Sequence, residues 1–315
     1  MSAALKPFRV NPAAALALVK AAILCREGPG DEAIRVLAKL EGELKTDLLP
    51  GSLVVLGEFP LGIAVWQEPC SLGATVELLY LVPDAASAER YHWFLSSVES
   101  LVGPIAFVGG PLGGLASAEE RSLMAGLGYV PFGRSEMRLK EDAELPDTPP
   151  VGPVRLRPVK PGDEEGIARL HARAYRGQLD RYLFWNAADE ELDAKKHTAE
   201  LFGGRWGPLV EGGSWVAEEP TGPVGAVLAV RTTAGALIAD VMVDPDRQGR
   251  GIGRATLLAS LRALRAAGDR AVYLNVTEGN RSAVRLYERV GFVRSLGPTH
   301  DWYNGHRVPV PAPKT

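Results

Sequence analysis

Cysteine is nearly absent: the chain of 315 residues holds two, Cys25 and Cys70. Neither sits in a Cys-x-x-Cys pair or beside histidine, so no zinc site is expected. Two buried thiols in a reducing compartment is the plain reading. An excess of charge is lacking too. The net charge is -3, and without a basic face a nucleic-acid partner is not expected. Long apolar runs are missing. The stretch 12–25 is interrupted by Lys20 and falls short of the roughly 20 residues that span a bilayer. No charged start leads into an apolar run with a small-residue cleavage site. The stretch reads as an amphipathic helix, with no membrane partner and a cytoplasmic location expected. What remains is the composition of a globular protein, 46% hydrophobic and 23% charged. The length suits two domains of about 150 residues.

A divider lies near the middle. Residues 141–153 read EDAELPDTPPVGP, acidic, proline-rich and without hydrophobic period, which marks a linker. The expected division is 1–140, the linker 141–153, a second domain 154–307, and a proline-rich tail 308–315. In the second half, strands are expected at 154–158, 214–218, 224–231, 236–243, 271–276 and 292–296, with a last one at 301–303. Ile167, Leu170 and Ala174 give helical spacing within 163–175, and 178–202 continues helical. Leu257, Leu258, Leu261 and Leu264 stripe a helix over 253–267, with Gly268 at its C-terminal end. Asn280 caps a short helix that Gly291 ends. Strands alternating with helices give an α/β class with a parallel crossover.

The chemistry concentrates at 243–253, VDPDRQGRGIG. A strand ends, a glycine-rich turn follows, and a helix begins. Glycine allows positive φ and close approach of backbone to ligand. The first N–H groups of a helix lack internal partners and carry partial positive charge, which suits a pyrophosphate. Arg247, Arg250 and Arg254 add charge. The stretch has no Gly-Lys-Ser/Thr, which excludes a P-loop. Arg254 stands where a dinucleotide fingerprint needs its third glycine.

The pattern Gln248-x-x-Gly251-x-Gly253 resembles the acetyl-CoA loop of the GNAT acetyltransferase superfamily. Downstream, Asn280, Ala283, Tyr287, Gly291 and Phe292 are spaced like the family's second signature, N-x-x-A-x-x-x-Y-x-x-x-G-F. The resemblance covers about 154–303. It implies acetyl-CoA as cosubstrate and a primary amine, on a small molecule or peptide, as acceptor. It also implies that the backbone of Val241, Met242 and Val243 pairs with the pantetheine arm. Amides from Gln248 through Gly249, Arg250, Gly251, Ile252 and Gly253 to Arg254 would hold the pyrophosphate, with Asn280 and Tyr287 nearby. Tyr287 would protonate the departing thiolate, since a phenol with a pKa of about 10 is neutral at pH 7. Asp240, a carboxylate within an apolar strand, is the first candidate for general base, sharing a face with Met242. Glu218 and Glu219 are weaker candidates. Asp180, Asp189, Glu190, Glu191 and Asp193 could select a cationic acceptor, and Tyr175, Tyr182, Phe184 and Trp185 could line its pocket.

The first half reads as a worn copy. PLGIAV at 60–65 resembles PVGAVL at 223–228, and LMAGLGY at 123–129 resembles LYERVGF at 286–292. Two GNAT-like domains in tandem are thus expected, each a twisted mixed sheet flanked by helices. In the first, AASAER at 85–90 replaces the glycine loop and Met124 replaces the tyrosine, so no coenzyme A site is expected there. The glycines of 109–114 read as a surface loop. The leading function is acetyl-CoA-dependent N-acetyltransferase. A coenzyme-A-binding regulator without turnover is the alternative, as is an enzyme like the mycothiol synthases, which share the tandem layout and acetylate an amine on a cysteinyl pseudodisaccharide.

Overall fold

The computed structural model describes residues 6–9, 51–56, 60–66, 72–81, 86–110, 112, 115–184 and 189–310. Cys25, Cys70, the helix expected at 12–25, Trp185 and the end of the tail lie outside them, as does the side chain of Phe184. Among the described residues no helix is long and apolar enough to cross a membrane.

The chain divides into two compact units, 1–132 with 300–309, and 133–299. In the first unit run β1 (Lys6–Arg9), β2 (Gly51–Leu56), β3 (Pro60–Trp66) and β4 (Ala74–Leu81). Then follow α1 (Ala88–Val102), β5 (Ile105–Val108), α2 (Ser117–Gly126) and β6 (Tyr129–Phe132). The second unit begins with β7 (Arg134–Leu139), β8 (Arg155–Pro158), α3 (Glu164–Ala174), α4 (Leu179–Phe184) and α5 (Glu190–Phe202). It continues with β9 (Trp215–Glu219), β10 (Gly222–Thr232), β11 (Gly235–Val243), α6 (Ile252–Ala266), β12 (Val272–Thr277), α7 (Arg281–Val290) and β13 (Phe292–Leu296). The last strand, β14 (Asp301–Asn304), returns to the first unit.

The first sheet has the order β1-β2-β3-β4-β5-β14-β6, and the second β8-β9-β10-β11-β12-β7-β13. Position for position the two orders are the same. Each has one parallel pair, β4 with β5 and β11 with β12, among antiparallel neighbours. The mixed-sheet expectation therefore holds in both units. The boundary expected from the linker does not. Residues 134–139 sit in the second sheet between β12 and β13, and 301–304 in the first between β5 and β6.

Packing explains this exchange. In β7, Ser135, Met137 and Leu139 are buried, and the two apolar side chains join the core under α6 and α7. In β14, Trp302 is buried to 1% in the first unit's core, and its indole N–H donates to the buried carboxylate of Glu120 at 3.2 Å. Linker composition shows that 141–153 is irregular but not that it is held. The guanidinium of Arg265 donates to the carbonyls of Lys140, Glu141 and Ala143, and Arg262 reaches Leu145 and Asp147. Replacing Trp302 by alanine should cost about 3–5 kcal/mol, as for a large aromatic removed from a packed core. A urea melt followed through the first unit's tryptophans checks it.

In the second unit, β10 is buried along most of its length because helices cover both sides. Leu257, Leu258, Leu261 and Leu264 of α6 pack on one face. Ile167, Leu170 and Leu201 of α3 and α5 pack on the other.

Candidate functional site

β11 and β12 pair only at Ala236↔Val272 and Leu237↔Tyr273. Beyond these pairs a cleft of about 620 Å³ opens between Val241 and Val243 on one side and Asn275 to Thr277 on the other. A crevice at the carboxyl ends of parallel strands is the usual ligand position of an open α/β sheet. One edge of β11 thus faces the cleft without a neighbouring strand, so its backbone groups can serve a ligand.

The glycine-rich turn closes one end of the cleft. Asp244 accepts from the Asp246 amide and forms an ion pair with Arg173 at 2.9 Å, which fixes the 3-10 turn over Pro245–Arg247. Gly249 and Gly251 have φ of +76° and +81°. Gly251 is the N-cap of α6, so no side chain satisfies the first amides, and the first turn carries no acid. A Cβ on Gly249 or Gly251 would meet nothing within 4 Å; the space before those amides is open. Gly253 serves packing, since a Cβ there would stand 3.1 Å from the Val243 side chain.

Most residues expected at the cofactor reach the cleft: Val241, Val243, Gln248, Gly249, Gly251, Ile252, Gly253, Arg254, Asn280 and Tyr287 line it. Met242 faces the opposite core, buried to 1%, and Arg250 is not on the wall. Arg247 lines the cleft but is paired with Glu219 at 2.9 Å. Asn280 caps α7 by accepting from the Ala283 amide at 3.2 Å. Two turns on, Tyr287 is buried against Phe292 with ring centroids 5.9 Å apart. Burial, reinforced by the negative charges of Asp180 and Asp240, raises its phenol well above the usual value.

Asp240 lies behind the cleft wall rather than on it. The β10–β11 register shifts between Leu228↔Asp240 and Ala229↔Ile238, leaving Ala239 as an extra residue. This bulge inverts the alternation. Ala236 and Ile238 face the α6 core, whereas Ala239, Asp240 and Met242 face α3 and α5. There Asp240 is buried to 4%. The Tyr175 hydroxyl donates to one carboxylate oxygen at 2.7 Å, and His197 Nε2 lies 2.9 Å from the other. Burial pushes the carboxyl up, but the His197 charge and hydrogen bond, with His171 and Tyr175, bring it below its ordinary value. His171 stacks on Tyr175 and packs against His197, with centroids at 4.5 and 4.8 Å. Burial pulls its own pKa down to about 4, so it is neutral at pH 7.

The other acids are mostly committed. Glu218 pairs with Arg157 and Glu219 with Arg247. Asp189 caps α5, Glu190 pairs with Arg176 and Arg181, and Asp193 lies 3.7 Å from Arg181. Asp180 alone of the five acids in that stretch lines the cleft, accepting from Thr277 Oγ1 at 2.7 Å. Of the aromatics, Tyr175 lines it, while Tyr182 lies beneath the Arg181 guanidinium.

Residues 167–292 match the acetyltransferase (GNAT) family model. A mycothiol acetyltransferase of Thermobispora bispora is 36% identical over 184 residues, covering 55% of this chain and 58% of that protein. One of Thermomonospora curvata is 34% identical over 189 residues, covering 58% of each. The match thus spans little more than half the length of these curated relatives. Among solved structures, a GCN5-related N-acetyltransferase from Sphaerobacter thermophilus aligns over 99% of this chain and 98% of its own, with a TM-score of 0.63 and 20% identity. A tandem GNAT protein from the clavulanic acid biosynthesis pathway aligns over 95% and 97%, with a TM-score of 0.51 and 15% identity. These likenesses show the fold: two mixed sheets of GNAT type along one chain.

In the first unit the corresponding parallel strands stay paired further along. β4 and β5 stay joined through Val76↔Val108, and the Gly109 amide donates to Val76 at 2.7 Å. Tyr91 of α1, fully buried, accepts through its hydroxyl from the Leu81 amide at 2.9 Å. Ser87 caps α1 and accepts from the Arg90 amide. Met124 is buried in the core at the position matching Tyr287. Neither Tyr91 nor Ser87 is marked by motif reading, because each acts through the backbone group it reaches.

Proposed function

We propose that the chain is an acetyl-CoA-dependent N-acetyltransferase that acylates a primary amine by direct attack, at the cleft of the GNAT domain. The observation that carries this reading is the uncapped α6 N-terminus opening into the same cleft as Tyr287. The residues fit the cosubstrate. Amides after Gln248 offer donors for a diphosphate, and the unpaired edge of β11 at Val241 and Val243 offers backbone groups for the pantetheine amides. When bound, acetyl-CoA supplies a thioester carbonyl. Tyr287 holds a proton at its hydroxyl for the departing sulfur, and Asp240 is the proposed acceptor of the amine proton. Incubating the purified protein with acetyl-CoA and a panel of primary amines tests this, with products read by mass spectrometry. Cofactor binding without acetylation of any amine would instead indicate a regulator. The location proposed with this activity is the cytoplasm.

A second reading narrows the acceptor to the amine of the cysteinyl pseudodisaccharide that becomes mycothiol. It rests on the names of the relatives, with the tandem fold in agreement. Asp180 on the cleft wall suits an acceptor that arrives as an ammonium ion.

The first unit is proposed to be a degenerate copy without cofactor. Tyr91 takes the β4 amide that a ligand arm would use, and Ser87 covers the first turn of α1. Calorimetric titration should therefore give one acetyl-CoA per chain. A stoichiometry of two would show that the first unit opens.

A further inference from the structure

Asp240 is sealed from the cleft, yet the proposed reaction asks it to take a proton from an amine within the cleft. Tyr175 bridges the gap. Tyr175 lines the cleft, and its hydroxyl donates to Asp240 Oδ1 at 2.7 Å. We infer that Tyr175 is a catalytic proton relay between the acceptor ammonium and Asp240, with His197 the positioning residue that holds the carboxylate ionised and aimed. The inference rests on the reading of Asp240 as base.

The step balances without a further reactant. An N–H bond of the ammonium breaks and its proton joins Tyr175 Oη. The former Tyr175 O–H bond breaks and its proton joins Asp240 Oδ1. The amine is left neutral, Tyr175 is unchanged, and Asp240 is a neutral acid that later returns its proton to solvent by the same route. At no point does the phenol carry full negative charge. That matters because burial, then the charges of Asp240 and Asp180, oppose a Tyr175 phenolate. Concerted transfer is the route left to a buried phenol.

The groups acting on Asp240 come from two helices. His171 lies in the last turn of α3 and Tyr175 is the C-cap residue that ends it; the imidazole is stacked on the Tyr175 ring and fixes its plane. His197 comes from α5 and is buried against Trp206 with centroids 5.0 Å apart. The charges of Asp240 and of Asp180 on α4 also act on Tyr175, and Tyr287 of α7 lines the same cleft. Asp180 is the competing base, since it lines the cleft directly.

Tyr175→Phe keeps the ring and its stacking and removes the relay oxygen. With the cysteinyl pseudodisaccharide and with butylamine as acceptors, kcat at pH 7 should fall about 100-fold, within the range of a lost acid–base group, while acetyl-CoA affinity is unchanged. The pH profile separates relay from support. In the unaltered enzyme kcat should be flat between the Asp240 ionisation and the alkaline limb set by Tyr287. In the variant it should rise about tenfold per pH unit until the amine deprotonates in solution, and then approach the normal rate. Asp240→Asn should show the same profile, and the double variant should be no slower than either. An acceptor-free measurement accompanies these: 3-fluorotyrosine at 175 should report Asp240 ionisation as a fluorine shift that Asp240→Asn removes. Normal kcat and profile in Tyr175→Phe beside a defective Asp240→Asn would overturn the relay and leave the base standing. Full activity in Asp240→Asn, with the defect moved to Asp180→Asn, would overturn the base reading itself. A fluorine shift that persists in Asp240→Asn would also overturn the relay.

Discussion

Gly251→Glu should abolish measurable acetyl-CoA binding. Three costs fall on one position. The backbone there has φ of +81°, where a side chain is strained, at about 1–2 kcal/mol. The new side chain projects into the open space before the first α6 amides, where Gly251 now leaves room. Its carboxylate then occupies the partial positive charge meant for the ligand and repels a diphosphate, for roughly 1–2 kcal/mol more. Strain and repulsion together come to about 2–4 kcal/mol, a weakening of roughly 30- to 700-fold at 1.4 kcal/mol per tenfold, and the crowding adds to it. Gly251→Ala isolates the strain and should cost roughly 5- to 30-fold. Calorimetry on both variants, with a melt to show that folding survives, measures the difference. Unchanged affinity in Gly251→Glu would place the diphosphate elsewhere.

Local physics determines what the sequence reveals. The glycine turn, the Asn280 cap and the spacing to Tyr287 are contiguous, and each acts through neighbours a few residues away. They were therefore readable, and the structure brings most of them to one cleft. Strand and helix periods in the second half were readable for the same reason, with ends shifted by a residue or two. Long-range partnership was not. Strand 134–139 carries an alternating pattern that fits any half-buried sheet, and nothing in it names β12 and β13 as neighbours. His171 and His197 are separate helical residues on the chain, and only the bulge at Ala239 turns Asp240 toward them. Likewise Tyr91 looks like an ordinary core aromatic until its hydroxyl is seen on the Leu81 amide.

Tyr287→Phe should lower kcat by about 100-fold or more, the range for loss of a general acid, with acetyl-CoA affinity and melting temperature nearly unchanged. The ring stays packed on Phe292, and only the hydroxyl facing the cleft is lost. Burial, with Asp180 and Asp240 nearby, raises the phenol above its usual value, so Tyr287 keeps its proton through the physiological range. A raised phenol is a weak acid toward a thiolate, whose conjugate thiol has a pKa near 8.5. Donation becomes favourable only if another proton replaces the one given up. The amine supplies it: its nitrogen loses one proton before attack and a second as the amide forms. Tyr287 can pass its own proton to sulfur as it receives that second one, so its charge is conserved. The sign of the pH effect follows. Activity that depends on a protonated Tyr287 is present below its raised pKa and lost only above it, so the alkaline limb should lie at higher pH than for an ordinary tyrosine. Asp180→Asn removes one raising charge and should draw that limb downward. A limb that moves upward, or a Tyr287→Phe enzyme with full turnover, would remove the acid role from this residue.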